Sequence, residues 1–271
     1  MGCCELSRAN RNDPEDVISN LELNLNFFKF QSRDIDRLTH RFCTNFIISK
    51  VQFSTICKEL KLESNTLTYE FLEIFYDPSY NGYKAILLST LGILLGSGTQ
   101  NNKLTLLFKN YDIDASNILE REEIRKMCED VTNISFQYIV SFASKKSAEE
   151  IQPMIKDYKN QLMSIKNTMV HYFTNIITQD KQQVLLEDFI NAFNKPELGT
   201  FLNPHNLRVS SKDMLKVVFR TAEAVNIMMS EDVVVDKKLE RKLSLRMTKY
   251  SRKTNKTRRP NSVPVMASVV K

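Results

Sequence analysis

The sequence predicts an all-α protein built from helix–loop–helix pairs, followed by a C-terminal helix and a disordered basic tail. Two observations carry most of this. Apolar residues recur at helical spacing on both sides of an acidic loop, with Leu104, Leu107, Phe108 and Tyr111 before it and Ile124, Met127 and Cys128 after it. The same alternation of periodic segment and polar loop returns every few tens of residues along the chain. Composition agrees: 6 Gly, 7 Pro and no Trp in 271 residues, of which 42% are hydrophobic, read as mostly helical. A chain of this length buries a substantial core, as one large domain or two lobes.

Residues 1–20 read as a flexible arm. A helical segment follows at 21–30 (Leu21, Leu23, Leu25, Phe27, Phe28), although its alternation is also compatible with a strand. Ile35, Leu38, Phe42 and Phe46 then share one helix face, with Ser32 and Asp34 as candidate caps. This opens the first copy, which continues through a loop near 43–51 to Phe53–Leu60. The second runs from Tyr69–Phe75 through Asp77–Tyr83 into the apolar run Ala85–Leu95, too short to span a bilayer and read as a buried helix. A long spacer, Val131 to Asn160, separates the third copy from the fourth, which covers Leu162–Ile177 and the loop to Phe189.

The third copy carries the chemistry. Asp112, Asp114 and Ser116 offer oxygens at positions 1, 3 and 5 of a loop ending at Glu123. The Ile118 carbonyl serves position 7, Glu120 position 9, and Glu123 closes the loop at position 12. That spacing fits an EF-hand calcium site, where a hard cation collects six or seven oxygens around one turn. Leu119 stands at position 8, where a paired hand forms a small β-bridge to its neighbour. Position 6 is Asn117 rather than Gly, which leaves the turn feasible but slightly strained.

Measured against that loop, the others are degenerate. The first holds no carboxylate and cannot bind calcium. In the second, Asp77, Ser79 and Asn81 fall at positions 1, 3 and 5 and Gly82 at 6, but Lys84 and Leu88 take positions 8 and 12. In the fourth, Val184 and Asp188 keep positions 8 and 12 while the front of the loop has lost its acids.

At Lys103–Asp114 the chain resembles the calcineurin B, calcineurin-B-homologous and neuronal calcium sensor proteins of the EF-hand superfamily, at the start of their third hand. Glu187, Asp188 and Phe189, with Phe193 a turn later, are similar to the exit of their fourth. The resemblance spans roughly residues 30–200 and implies two EF-hand lobes, here 21–100 and 101–200, with few active calcium sites. It further implies an N-terminal fatty acyl group and a regulatory or adaptor role. The long spacer and the basic tail depart from the family pattern.

The ends of the chain are unlike its body. Met1-Gly2-Cys3-Cys4 fits N-myristoylation of Gly2 and palmitoylation of Cys3 and Cys4, although Leu6 replaces the usual Ser or Thr. Residues 237–271 hold twelve Lys or Arg against Glu240 alone. That tail is therefore +11 while the whole chain is +6, which leaves the other residues at −5. A tail so charged and poor in aromatics is disordered in isolation and attracts anionic surfaces. Within residues 201–236, an amphipathic helix runs from Ser210 to about Met229, with Ser211 as its cap. Met214, Leu215, Val218 and Phe219 make it a candidate self-ligand for a hydrophobic groove, or ordinary core packing. Ser244 and Ser262 follow basic pairs, as basophilic kinases prefer, and phosphate there would weaken an electrostatic tether.

An enzyme is not expected: none of His40, His171 and His205 lies in a nucleophile, zinc or phosphate-loop motif, and His171 reads as a core residue. The five cysteines, at 3, 4, 43, 57 and 128, lack metal-ligand spacing and read as reduced intracellular thiols. No apolar segment at the start reads as a secretory signal. The expectation is a cytoplasmic calcium sensor or regulatory subunit, peripheral on an anionic membrane through arm and tail. Its groove would bind a partner's amphipathic helix. The alternative is a calcium-insensitive adaptor in a cytoskeletal or ciliary assembly. Nucleic acid ranks last, since Tyr250 alone in the tail could stack on bases.

Overall fold

Four times along the chain a helix runs into a short loop, a strand of two or three residues and a second helix. The computed structural model describes residues 13–211 and residue 213, and these are mostly helical with two small antiparallel sheets. The first unit is α2 (Ser32–Phe42), β1 (Ile47–Ser49) and α3 (Lys50–Glu59). The second is α4 (Leu67–Glu73), β2 (Tyr76–Asp77), β3 (Gly82–Lys84) and α5 (Ala85–Leu95). The third is α6 (Gln100–Tyr111), β4 (Ile118–Glu120) and α7 (Arg121–Asn133). The fourth is α9 (Gln152–Thr178), β5 (Gln183–Leu185) and α10 (Leu186–Ala192).

The strands join the units two by two. β1 pairs with β3, setting Ile48 opposite Tyr83, and β4 pairs with β5, setting Leu119 opposite Val184. All four of these central side chains are buried. A loop that leaves a helix needs partners for its amide and carbonyl groups, and a neighbouring loop supplies them across each sheet. These sheets are the departure from an all-α chain.

Capping residues set where the returning helices begin. Ser49 caps α3, and its own amide donates to Gln52 Oε1 at 2.7 Å, a reciprocal box. Thr66 and Thr99 cap α4 and α6. Helix α5 is apolar on nearly all sides and buried from Leu88 to Leu94, as its sequence predicts. It packs chiefly on α2, and α7 packs chiefly on α9.

The spacer between the third and fourth units is mostly helical, broken at residues 147–151. Helix α7 passes through a single π-helical stretch, Ile134–Tyr138, into α8 (Ile139–Lys146), and α9 takes up the rest. Tyr138 meets Phe75 and Phe142 meets Phe71, so the spacer seats on the aromatic side of α4.

Several expectations are corrected. The arm is already helical from Pro14: α1 spans Pro14–Asn24, capped by Asp13, and a 3-10 turn at Phe27–Lys29 replaces the rest of the 21–30 segment. Gln31, not Ser32 or Asp34, stands at the cap position of α2. Ser32 is buried and its hydroxyl donates to the Ile93 carbonyl. The last helix, α11, covers residues 204–211 and so starts well before Ser210. Asn203 caps it, accepting from the Asn206 amide at 2.9 Å, whereas the Ser211 hydroxyl donates back to the Leu207 carbonyl. The rest of the helix expected to reach Met229 lies outside the described residues.

Candidate cation site

Asp112 ends α6 and organises the loop that follows. Its Oδ1 accepts the Ser116 amide at 2.9 Å and its Oδ2 the Asn117 amide at 3.0 Å. Asp114 Oδ1 accepts the same Ser116 amide at 3.1 Å. The Ser116 hydroxyl donates to the Ile118 carbonyl at 3.0 Å. Ala115 and Asn117 take left-handed backbone, at φ 55° and 60°, so the chain can curl around these oxygens. The bond from Ser116 is the main reason the Asp114 carboxyl is held below its ordinary 3.8.

Ile118 and Glu120 follow on β4, and Glu123 lies in the first turn of α7. Glu123 Oε2 accepts the Glu120 amide at 2.9 Å while the Glu120 side chain accepts the Glu123 amide. The six expected donors therefore fall in two knots, Asp112–Asp114–Ser116–Ile118 and Glu120–Glu123, each bonded within the loop itself. Among the described residues no three His, Cys, Asp or Glu side chains converge on one point. The donor set is nonetheless all oxygen, with no nitrogen or sulfur, and fits a hard cation.

The backbone supplies a ruler for the other loops. Phe46, Asn81 and Asn117 have φ of 62°, 49° and 60°, each two residues before the central strand residue Ile48, Tyr83 or Leu119. Counted from those residues, and in the fourth unit from Val184 opposite Leu119, the counterparts of Asp112 and Glu123 are Arg41 and Gln52, then Tyr76 and Leu87, then Ile177 and Asp188. The second loop is thus shifted by one from the sequence expectation, because Tyr83 and not Lys84 faces inward. Asp77 instead binds the Ser79 amide at 3.0 Å and Lys84 at 3.4 Å. Asp188 is held by Lys181 at 2.7 Å.

Two polar networks were not legible in the sequence. At the loop entrance, Asn110 Oδ1 accepts from His40 Nε2 at 2.9 Å and Asn110 Nδ2 donates to the Ile86 carbonyl at 2.9 Å. Its neighbour Tyr111 donates to Asp130 at 2.9 Å and contacts Thr90 at 3.0 Å. This string ties α2 and α5 to the helices flanking the loop. The second network joins the first and last described helices through Glu15, Glu22, Tyr158, His205 and Arg208. Neither could be found by spacing, since each pairs residues far apart in sequence. His171 is not a core residue: it is exposed and bonds Asn175 at 2.9 Å.

Gly2, Cys3, Cys4, Ser244 and Ser262 lie outside the described residues. Among the described residues no helix is long and apolar enough to cross a membrane. Comparison with protein-family models, with curated proteins and with solved structures finds no match.

Proposed function

We propose that this chain is an EF-hand calcium-binding regulatory or adaptor protein, not an enzyme, tethered to membranes by its acylated arm and basic tail. The observation that carries the reading is the Leu119–Val184 pairing, which frames residues 112–123 as a loop with six oxygen donors. The left-handed residues at 115 and 117 support it further. When bound, the cation would supply positive charge at the loop. Asp112, Asp114, Ser116, the Ile118 carbonyl, Glu120 and Glu123 would hold it. Glu123 would have to give up part of its bond to the Glu120 amide, and that is a route from the loop to the first turn of α7. A partner's amphipathic helix would be the ligand of a hydrophobic groove that calcium binding opens between helices.

Calorimetric titration of the full chain with calcium, at constant magnesium and beside Glu123→Gln, tests this. One site in the range of roughly 10⁻⁷ to 10⁻⁵ M, lost in the variant, is the expected result. No heat in either protein would reject it.

A second reading is favoured by the three loops in which Arg41, Tyr76 and Ile177 replace the leading acid. In that reading the helix pairs are a calcium-insensitive scaffold in a cytoskeletal or ciliary assembly. It predicts that deleting residues 2–4 leaves the protein in the detergent-resistant pellet of cells.

A further inference from the structure

Residues 41–52, from the end of α2 through β1 to the start of α3, contain no Asp or Glu. The first two units expose apolar side chains around this sheet: Phe46 is 47% exposed, Val51 at the start of α3 78% and Tyr80 55%. The β1–β3–β2 sheet joins the segments that carry them. The Phe46 carbonyl accepts the Ala85 amide, Ile47 stands opposite Lys84, and Ser49 stands opposite Gly82. Lysines accompany the rings. Lys84 Nζ lies 4.8 Å from the centre of the Tyr80 ring, and Lys50 Nζ lies 4.3 Å from that of Tyr76. Across residues 41–52 and 76–84, Arg41, Lys50 and Lys84 face one carboxylate, Asp77, which Lys84 and Ser79 already bind.

Phe46 holds φ 62°, a region that a bulky residue rarely adopts, and it does so with its ring left largely in water. Asn81 and Asn117 take the same conformation at the matching position of their loops, so what sets Phe46 apart is an aromatic ring exposed there. Exposed aromatic and aliphatic side chains beside lysines whose stems are apolar are the residue set that settles at a bilayer's headgroup level.

We propose that this sheet end docks on an anionic lipid surface, with Phe46, Val51 and Tyr80 entering the interfacial zone and Lys50 and Lys84 meeting lipid phosphates. The proposal deepens the membrane-tethered reading and rests on it. It adds a face of the folded body to the two termini and so fixes the orientation of the body on the membrane.

The chain has no Trp, so Phe46→Trp in the full-length protein, expressed with an N-myristoyltransferase, introduces a single reporter. Vesicles of phosphatidylcholine with phosphatidylserine should shift its emission to the blue, and brominated acyl chains should quench it. Leu185→Trp, on the loop end of the other pair, should remain unquenched. The double variant Phe46→Asp, Val51→Asp should lower vesicle partitioning about tenfold. Binding to vesicles with an unshifted, unquenched indole at position 46 would overturn this proposal and leave the tether standing. No vesicle binding at all would overturn both. A blue shift with soluble polyglutamate but not with vesicles would assign the face to an acidic protein and reject lipid.

Discussion

The guanidinium of Arg208 is wholly buried and holds two carboxylates of the first helix at once. Its Nε donates to Glu15 Oε1 at 3.0 Å and its Nη2 to Glu22 Oε2 at 2.7 Å. Glu15 also accepts from Tyr158 at 2.9 Å and meets His205 at 2.8 Å. The chain's first and last described helices are thereby fastened to each other and to α9.

Arg208→Met should cost about 3–5 kcal/mol, because it strands two carboxylates away from water. The double variant Glu15→Gln, Arg208→Met should lose less than the sum of the singles. Urea unfolding of the set, read by circular dichroism, measures both. Burial would raise the Glu15 carboxyl, but the His205, Arg208 and Tyr158 bonds and the Arg208 charge outweigh it, so it lies below its ordinary 4.5. A depressed carboxyl contributes stability that is complete above the unfolded value and is lost as pH falls through the folded one. The gap between wild type and Glu15→Gln should therefore shrink below about pH 4.5.

His40 has the opposite sign. Its hydrogen bond to Asp36 raises its pKa above the ordinary 6.5, against the desolvation that burial brings. Such a group contributes stability below the unfolded value and loses it as pH rises through the folded one. Wild type should exceed His40→Gln in unfolding midpoint by more at about pH 5.5 than at about pH 8.5.

Gly92 sits where α5 crosses α2, and a Cβ placed there would overlap the side chain of Ile35. Gly92→Ala should destabilise the fold by about 1–3 kcal/mol despite the better helix propensity of alanine. Thermal unfolding decides the sign.

Asn117 takes φ 60° inside the cation loop. Glycine adopts that conformation without a Cβ penalty, so Asn117→Gly should leave the loop intact and strengthen calcium binding by at most about 1 kcal/mol. Weaker binding in the calorimeter would mean that the Asn117 side chain is needed for another reason.

Burial pushes the thiols of Cys57 and Cys128 up to about 12, while Cys43 is half-buried. Among these three, iodoacetamide should modify Cys43 in the native protein and the other two only after unfolding, as peptide mass spectrometry can read.

Hydrophobic period and cap chemistry made the helices readable: Leu104–Tyr111 and Ala85–Leu95 each form a helix at the predicted place. Short-range spacing likewise made the acidic loop readable, since its donors lie within one turn of chain. The α1 helix was missed because its buried face is built around Glu15 and Ile18, and a carboxylate on a core face hides the apolar stripe. Ser32, Ser211 and Lys84 were misread for a related reason. Their roles depend on what stands opposite them, namely the Ile93 carbonyl, the packed turn at Leu207, and the inward-facing Tyr83.

The sequence by itself determined where the helices flanking the four loops fall and that one loop carries a full set of oxygen donors. Those features depend on neighbours a few residues apart, and local sterics and hydrogen bonding decide them. Tertiary structure alone decided the register of the loop pairs, the partners of Arg208, and the string from His40 to Asp130. Each of these sets a buried polar group against a partner far along the chain. Such groups are costly to leave unmatched, so the packed fold and not the local sequence selects their partners.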